Sequence, residues 1–242
     1  MEVNMDKLFI VIPAYNEQET IEDIVRKWYP NVLLGEEGSR LVVINDGSKD
    51  DTGKKLDALK PEFPLLDVRH KQNSGHGPSI QAGYKYAVAE GADYIFQTDS
   101  DGQTEPSEFP EFWENRRKYE MIIGYRKDRG DGFGRLVVTR VLRLLIFLTF
   151  HVYVKDANTP FRLMKASVLE KELKYVPRDY FLTNVLISVI FTKRKYRIKY
   201  LPITFRPRQG GTNSIDLRKI TGIGLKSVKD FVKLNRIISN PD

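Results

Sequence analysis

Short apolar runs alternate with stretches of helical periodicity through the first half of the chain. Five runs have the length and polar boundaries of strands; they are 8–12, 41–44, 66–70, 94–98 and 121–123. Four stretches between them read as helices with one apolar face; they are 17–29, 51–59, 78–90 and 107–119. This alternation predicts an α/β fold, with a Rossmann-like, mostly parallel, twisted sheet flanked by helices on both faces.

The second half of the chain has a different pattern. We predict a long helix near 134–150, helices near 165–173 and 180–193, a strand over 197–205 and an amphipathic segment over about 216–238. On a helical wheel of the long helix, one polar arc holds Arg135, Thr139, Arg140 and Arg143, with Val141, Leu142, Leu144 and Leu145 mostly opposite. This pattern fits a helix at a membrane interface, and it equally fits a helix packed on the sheet.

Polar clusters follow each of the first four predicted strands. They are 13–17, 45–48, 73–77 and the pair Asp99 and Asp101. Open α/β sheets bind ligands at the carboxyl ends of their strands, so the four clusters predict one site. Gly75, Gly77 and the following helix start suit a phosphate, with His76 as a possible further donor. No G-x-G-x-x-G follows the first strand, which disfavours a dinucleotide.

The segment 97–103 offers candidate ligands for a metal ion. Asp99, Asp101 and Gln103 alternate after an apolar strand, so their side chains can converge on one point. Hard oxygen donors in this arrangement suit Mg²⁺ or Mn²⁺ bridged to a phosphate. The alternative is an ordinary turn, which Asp, Ser and Gly also favour.

Charge divides the chain into two unlike halves. Residues 1–115 hold 11 Lys and Arg against 22 Asp and Glu, a net −11. Residues 116–242 hold 28 against 10, a net +18, so the whole chain carries +7. The basic half favours an anionic partner: nucleic acid, phospholipid or a phosphorylated substrate.

The absence of cysteine, the length of the longest apolar run and the first six residues bear on where the protein is found in the cell. There is no cysteine, which excludes disulfides and thiol chemistry. The apolar run 144–154 is well short of the roughly 20 residues that a spanning helix needs. The first six residues lack the pattern of a secretory signal. The missing secretory pattern favours the cytoplasm, and the basic half with its arginine-bearing helix favours peripheral association with a membrane surface.

Seven motifs together resemble glycosyltransferase family 2, the inverting sugar transferases of the GT-A fold. They are V-I-P-A-Y-N-E at 11–17, N-D-G-S-K-D-D-T at 45–52, N-S-G-H-G at 73–77, Q-T-D-S-D-G-Q at 97–103, G-Y-R at 124–126, D-A-N-T-P-F-R at 156–162 and L-P-I-T-F-R-P-R-Q-G-G-T-N-S at 201–214. Within the family, the resemblance is strongest to the dolichyl- and polyprenyl-phosphate sugar transferases. It implies a GT-A domain over 1–214, with a donor and metal half at 1–115, an acceptor half at 116–214 and a helical segment at 215–242.

The resemblance also implies a role for individual residues. The nucleoside of a UDP- or GDP-sugar would contact Pro13, Tyr15, Glu17 and Asp46. The diphosphate and its Mg²⁺ or Mn²⁺ would meet Asp99, Asp101 and Gln103. The phosphate of a polyprenyl acceptor would meet Arg126, Arg129, Arg135, Arg208 and Ser214. The predicted catalytic residues are Asp101, Asp156 and Arg126.

Some positions depart from the family pattern. Asn45 replaces the first aspartate of the usual Asp-Asp pair, so this position supplies an amide and not a carboxylate. Pro160 replaces a glycine in the turn that precedes Phe161 and Arg162, and Thr-Asn-Ser ends the last motif where Ser-Lys is commoner. The absence of Q-x-x-R-W disfavours a processive polysaccharide synthase.

Three alternatives to lipid-phosphate transfer stay open. A hydroxyl acceptor would need a carboxylate base, for which Asp156 is the first candidate and Asp179 the second; Asp156 equally fits a structural turn. A nucleotidyltransferase would normally carry a Gly-rich basic loop after the first strand, which 13–17 lacks. A nucleic-acid-binding module would explain the basic half but leave the acidic cluster unused, so we expect no nucleic acid partner.

Overall fold

The computed structural model describes residues 6–126, 132–206 and 230–239, with side chains from Thr139 onward in the helix that begins at Gly132. The strands are β1 Leu8–Ala14, β2 Arg40–Asn45, β3 Leu66–His70, β4 Tyr94–Gln97, β5 Met121–Arg126, β6 Arg162–Lys165 and β7 Ile198–Ile203. They form one seven-stranded sheet in the order β3-β2-β1-β4-β6-β5-β7. All neighbours pair in parallel except β6, which is antiparallel to β4 and β5. The predicted mostly parallel α/β sheet is confirmed.

Helices cover both faces of this sheet. They are α1 Ile21–Val32, α2 Thr52–Leu59, α3 His76–Ala89, α4 Phe109–Asn115, α5 Gly132–Phe150, α6 Ala166–Leu173 and α7 Thr183–Lys193, followed by a helical stretch at 230–239. β1 is buried along its whole length because its alternate residues enter two different cores. Leu8, Ile10 and Ile12 pack with α1, α2 and α4, whereas Phe9 and Val11 pack with α3, α7 and the 230–239 helix.

An aromatic cluster joins the two halves of the chain under the α1 face. The Trp28 ring lies 5.3 Å from that of Phe96 in β4 and 5.8 Å from that of Phe161, which directly precedes β6. The rings of Phe96 and Phe161 meet edge to face at 4.7 Å. Such pairs add about 0.5–1.5 kcal/mol each to ordinary apolar burial. The cluster therefore fastens β6 to the strand that carries the acidic motif.

On the opposite face, α3 lies unusually close to the sheet. A Cβ added at Gly83 would come within 2.3 Å of the Val11 Cγ1 atom. Any larger residue at this position would push the helix away from β1. Glycine here fixes how near the amino end of α3 comes to the carboxyl ends of β1 and β4.

The strand β6 was not predicted from the sequence. Its four residues are too few to show periodicity, and they begin and end with Arg162 and Lys165. The segment becomes a strand because it fills the space between β4 and β5 and bonds to both. The predicted helix at 107–119 also differs, since only 109–115 is α-helical, between two 3₁₀ turns.

The long helix α5 presents an apolar surface to solvent. Val141, Leu144, Phe147 and Leu148 are each at least half exposed, whereas Ile146 and Phe150 are buried. The predicted arrangement, with arginines on one face and leucines on the other, is therefore only partly observed. Among the described residues, no helix combines the length and the hydrophobicity that crossing a membrane requires.

We predict that Trp28→Ala lowers the free energy of unfolding by about 3–5 kcal/mol, because it opens a cavity in the aromatic cluster. Chemical denaturation with fluorescence or circular dichroism detection measures this change. Leu33→Ala is the control, because Leu33 is 64% exposed and its truncation should change stability by less than about 0.5 kcal/mol. Equal effects of the two substitutions would contradict this account of the core.

Candidate active site

The site lies where the parallel strands end. Loops leave β1, β2, β4 and β5 at the same edge of the sheet, after Ala14, Asn45, Gln97 and Arg126. Because β6 is antiparallel, the chain enters it at this edge, where Arg162 pairs with both Gln97 and Ile123. The acidic motif and the 156–162 motif are therefore brought together from segments about 60 residues apart in the chain.

The loops after β1 and β2 hold each other in place. The backbone N–H of Glu17 donates to Thr52 Oγ1 at 2.8 Å, and that of Asn16 to Ser48 Oγ at 3.0 Å. Glu17 is 5% exposed, and its carboxylate accepts from Thr20 Oγ1 at 3.1 Å. Pro13 is buried at the end of β1, whereas the Tyr15 ring is 42% exposed. Of the four residues predicted to bind the nucleoside, only Tyr15 has an openly exposed side chain.

Asp46 is the anchor of the loop that precedes α3. Its side chain is almost fully buried and accepts from the backbone N–H groups of Ser74 and Gly75 at 2.9 and 2.8 Å. The ammonium of Lys71 donates to the same carboxylate and to Ser74 Oγ. Gly75 was predicted to let the backbone approach a donor phosphate, and in the structure its N–H is bonded to the protein's own Asp46 carboxylate. Asp46 therefore fixes the backbone conformation of the 73–77 loop through these bonds.

Asn45 plays a different part from the aspartate usual at its position. Its amide Nδ2 lies 3.0 Å from His70 Nδ1, and its Oδ1 accepts from the Ser48 N–H at 3.2 Å. His70 Nε2 lies 3.2 Å from Asp57 Oδ1. Because the amide donates to Nδ1, the proton of the neutral ring belongs on Nε2, where Asp57 accepts it. The residue ties β2 to β3.

The amino end of α3 is covered on its other side by the 177–182 loop. A Cβ at Gly77 would lie 2.2 Å from the Tyr180 carbonyl oxygen, so only glycine fits. Thr183 Oγ1 donates to the Tyr180 carbonyl at 2.8 Å and lies 3.2 Å from that of Gly77. With this contact at its amino end, α7 begins at Thr183, three residues after the predicted helix start. His76 remains half exposed, with its Nε2 3.6 Å from Asp99 Oδ1.

The acidic motif supplies two carboxylates and the amide of Gln103, whose predicted role as a metal ligand stays a prediction. Asp99 and Asp101 are partly exposed at the site, and Asp101 Oδ1 accepts from the Gln103 N–H at 3.1 Å. Gln103 is buried, and its Nε2 donates to the Arg206 carbonyl at 2.9 Å. Gln103 therefore fastens the segment after β7 to the acidic loop, a role that its predicted place among the metal ligands did not suggest.

The donor set fits a cation shared with a substrate. Within the described part of the chain, no three His, Cys, Asp or Glu side chains are grouped to hold a metal ion alone. Mg²⁺ is commonly bound by one or two carboxylates together with substrate phosphates and water. Asp99 and Asp101 supply such a pair of carboxylates.

Arg126 and Asp156 form the other half of the site. The Arg126 Nε lies 3.7 Å from Asp156 Oδ2, and its guanidinium lies 4.2 Å from the centre of the Phe205 ring. Asp156 is 4% exposed. Arg143 donates to the Lys155 carbonyl, so this arginine turns inward from α5. The Lys155 ammonium lies 3.3 Å from the centre of the Tyr125 ring. Of these three cations, Arg126 is the one that the described contacts place against the Asp156 carboxylate.

A buried arginine supports the loop that carries Asp156. Arg162 has no exposed surface, and its guanidinium donates to the carbonyls of Ala157 at 3.1 Å, Thr159 at 2.5 Å and Asn184 at 2.9 Å. Burial lowers the pKa of Arg162, while the charges of Asp156 and Asp99 act in the opposite direction. The described contacts thus satisfy this cation with neutral oxygens and hold the 157–159 backbone in one shape.

Several predicted residues lie outside what the structure describes. Arg129, Arg208 and Ser214 are in undescribed segments, as is most of the predicted amphipathic segment at 216–238. For Arg135, only the backbone, within α5, is described. Sequence reasoning passed over Lys71, Gln97 and Arg162, whose contacts hold the site together. For Gln97 and Arg162 the sequence did offer a signal. Each is a polar residue within a motif, at a position where a strand would bury its side chain.

Comparison with known proteins identifies the family. The model of "Glycosyl transferase family 2" matches residues 9–174, from the second residue of β1 through β6 and α6. The chain belongs to glycosyltransferase family 2. The family resemblance stated from the motifs is thus confirmed.

Two relatives illustrate which members of family 2 the chain is similar to. It is 25% identical over 224 residues to the undecaprenyl-phosphate 4-deoxy-4-formamido-L-arabinose transferase of Sodalis glossinidius, covering 91% of this chain and 66% of that protein. It is 28% identical over 220 residues to the UDP-N-acetylglucosamine–dolichyl-phosphate N-acetylglucosaminyltransferase of Methanococcus voltae, covering 82% and 85%. The chain therefore spans just under two thirds of the first protein's length. Both relatives are named as transferases acting on polyprenyl phosphates.

Solved structures confirm the GT-A fold of this family 2 chain. Glucosyl-3-phosphoglycerate synthase from Mycobacterium tuberculosis, solved with Mn²⁺, UDP-glucose and phosphoglyceric acid, superposes with a TM-score of 0.69. The alignment covers 98% of this chain and 81% of that one, at 18% identity. At this identity, the likeness speaks for the fold alone.

We predict that Lys71→Met lowers the free energy of unfolding by roughly 3 kcal/mol, because Asp46 would remain buried without its cation. Lys71→Arg should retain most of the stability, and the double variant Lys71→Met/Asp46→Asn should recover part of the loss. Urea unfolding measures all three. Lys85→Met, at an exposed position on α3, is the control. A loss no larger than that of the control would show that the ion pair does not hold this loop.

Proposed function

We propose that this protein transfers a sugar from a UDP- or GDP-sugar to a polyprenyl phosphate at a membrane surface, with inversion at the sugar carbon. The observation that carries the proposal is the meeting, at one sheet edge, of the Asp99–Asp101 pair with the Arg126–Asp156 pair. One pair suits a cation-bridged diphosphate, and the other suits an anionic acceptor. The names of the family 2 relatives, which act on undecaprenyl and dolichyl phosphates, support the same assignment.

On the donor side, Asp99 and Asp101 would hold Mg²⁺ or Mn²⁺ against the diphosphate. When bound, the cation offsets the negative charge that develops on the leaving nucleotide. The exposed Tyr15 ring offers a surface for the base, and the 13–17 and 45–48 loops, locked together by Glu17 and its partners, form the wall beside it. Asp46 contributes by fixing the 73–77 loop. His76, beside Asp99, is assigned to the donor phosphates.

On the acceptor side, the chain has to position a phosphate rather than generate a nucleophile. The second pKa of a phosphate monoester is about 6, so its oxygen is already anionic near neutrality. Guanidinium groups bind such oxygens with two parallel hydrogen bonds. Arg126, stacked on Phe205 and beside Asp156, is oriented for this task before the acceptor arrives. Arg129, Arg135, Arg208 and Ser214 are proposed to complete the contact.

The exposed face of α5 supports attachment to a membrane. Val141, Leu144, Phe147 and Leu148 form an apolar strip on a helix that also exposes Arg140, in the basic half of the chain. Apolar residues beside cations favour the surface of an anionic bilayer. A polyprenyl phosphate is available only there, and α5 follows β5 and Arg126 in the chain. We therefore assign this strip to the leaflet that contains the acceptor.

A hydroxyl acceptor is the second candidate, and one observation favours it. Asp156 is a buried carboxylate on the acceptor side of the site, which is where a general base would be needed. Its contact with Arg126 supports instead a positioning role. The two candidates differ in which of these residues is indispensable.

The first prediction from this proposal concerns turnover. With Mn²⁺ or Mg²⁺, the protein should release UDP or GDP from a nucleotide sugar only when a short polyprenyl phosphate is present. Asp101→Asn should lower the rate by roughly 10³-fold, the scale of a metal's charge stabilisation. Asp23→Asn, at an exposed position on α1, is the matched control and should leave the rate unchanged.

The acceptor class is read from two further variants in the same assay. For a lipid phosphate, Arg126→Met should lower the rate roughly 10- to 100-fold, the scale of charged hydrogen bonds, and Asp156→Asn should cost less. For a hydroxyl acceptor, Asp156→Asn should cost roughly 10²- to 10⁴-fold, as for a lost general base. Nucleotide release without lipid dependence would overturn the polyprenyl-phosphate proposal.

A further prediction concerns the membrane. Leu144→Asp should weaken binding to vesicles of phosphatidylcholine and an anionic phospholipid by roughly tenfold or more, because a leucine side chain contributes about 1.5–3 kcal/mol when buried. Leu33→Asp is the matched control, since Leu33 is at least as exposed but lies after α1. Flotation of the vesicles measures the bound fraction. Equal binding of both variants and the unaltered protein would remove α5 from the interface.

A further inference from the structure

Gln97 is an amide at a place where the chain otherwise uses apolar residues. It ends β4 after Tyr94, Ile95 and Phe96, and it has no exposed surface. β1 lies beside it on one side and β6 on the other, where it pairs with Val11 and Arg162. Burial of an amide costs free energy unless its oxygen and nitrogen both find partners. The contacts of the Gln97 amide should therefore explain why a glutamine is buried here.

The amide oxygen and the amide nitrogen of Gln97 each form a hydrogen bond, and the partners determine which atom faces which way. Its Nε2 donates to Asp99 Oδ1 at 3.1 Å, and its Oε1 accepts from the Tyr84 hydroxyl at 3.2 Å. An ionised carboxylate can only accept, so the amide nitrogen must face Asp99 and the oxygen must face Tyr84. Burial raises the pKa of Tyr84, so this hydroxyl keeps its proton. The hydrogen bonds run from α3 through the core to the site.

The same carboxylate oxygen of Asp99 has a second neighbour at the surface. His76 Nε2 lies 3.6 Å from Oδ1, on a side chain that is about half exposed. Gln97 approaches from the core and His76 from the solvent side. Both described contacts use Oδ1, so the plane of the carboxylate is set by its surroundings. Hydrogen bonds of this kind orient metal-binding side chains, and removing them typically costs 10- to 100-fold in metal affinity.

We propose that Gln97 is a positioning residue that orients the Asp99 carboxylate, through its hydrogen bond to Oδ1, so that Oδ2 meets the cation of the donor diphosphate. Tyr84 in turn holds the Gln97 amide in the orientation that permits this. The inference rests on the proposed function, because it assumes that Asp99 takes part in the cation site. Gln97 itself touches neither donor nor cation.

The test is a measurement of Mn²⁺ binding that does not depend on turnover. Electron paramagnetic resonance reports free Mn²⁺ during titration of the protein in the presence of UDP and, separately, of GDP. Gln97→Met keeps the length of the side chain and removes both hydrogen bonds. Tyr84 still has Asn184 Oδ1 within 3.4 Å as an acceptor, so its hydroxyl is not stranded. We expect the Mn²⁺ dissociation constant to rise 10- to 100-fold.

Two variants separate positioning from stability. Gln81→Met is the matched control, because Gln81 is a buried glutamine of α3 whose Nε2 donates to the Pro177 carbonyl at 2.8 Å. It should lower the melting temperature without changing Mn²⁺ affinity. Tyr84→Phe keeps the ring and removes the hydroxyl that holds Gln97, so a smaller loss of Mn²⁺ affinity is expected. Tyr84→Phe also serves as the test if Gln97→Met does not fold.

The outcomes distinguish this inference from the proposed function. If the unaltered protein fails to bind Mn²⁺ both with UDP and with GDP, the proposed cation site is wrong. The same holds if Asp99→Asn binds Mn²⁺ as tightly as the unaltered protein. If Asp99→Asn loses Mn²⁺ while Gln97→Met or Tyr84→Phe retains full affinity, the cation site stands and the positioning role is overturned. Loss of affinity in the Gln81 control equal to that of Gln97→Met would also overturn it, since any buried amide would then have the same effect.

Discussion

The parallel pairing of β1 with β2 and β4 is the constraint on which the rest of the molecule depends. Parallel strands bring their carboxyl ends to one edge, so each connecting loop has to leave from there. Both faces of such strands are covered by helices, which makes β1 apolar along its length and leaves chemistry to the loops. The loops after β1, β2 and β4 therefore share an edge, and the 156–162 segment joins them where the chain enters β6.

Three of the carboxylates at this edge are each restrained by a different neighbour. Asp46 is held by Lys71 and two backbone N–H groups, Asp99 by Gln97, and Asp156 lies against Arg126. An unpaired buried charge would be expensive, and its partner fixes its direction as well as offsetting that cost. The polar partners of these carboxylates thus orient them at the site. Tyr15 and His76, at the same edge, have more exposed side chains.

Much of the fold could be predicted because its signals are local. The strands of the first half are apolar runs bounded by turns, and their order and the helices between them follow from periodicity. β6 could not be predicted, since its pairing depends on β4 and β5 and four residues carry no period. The gathering of Asp99 and Asp101 with the loops after β1 and β2 followed from topology, whereas the arrival of Asp156 at that edge depends on β6. The contacts of Gln103 and Asp46 did not follow from topology, because loop backbone geometry decides which oxygen meets which N–H.

The antiparallel strand β6 has a consequence for how the protein is made. β4 and β5 precede it in the chain but are separated in the sheet by the space that it fills. During synthesis on the ribosome, both strands emerge with an unpaired edge and wait until Arg162–Lys165 has been added. Unpaired edges invite association between chains, and non-local pairing is slow. The short strand β6 thus covers one edge of β4 and one edge of β5 at the same moment, and the outer edge of β5 stays unpaired until β7 has been added.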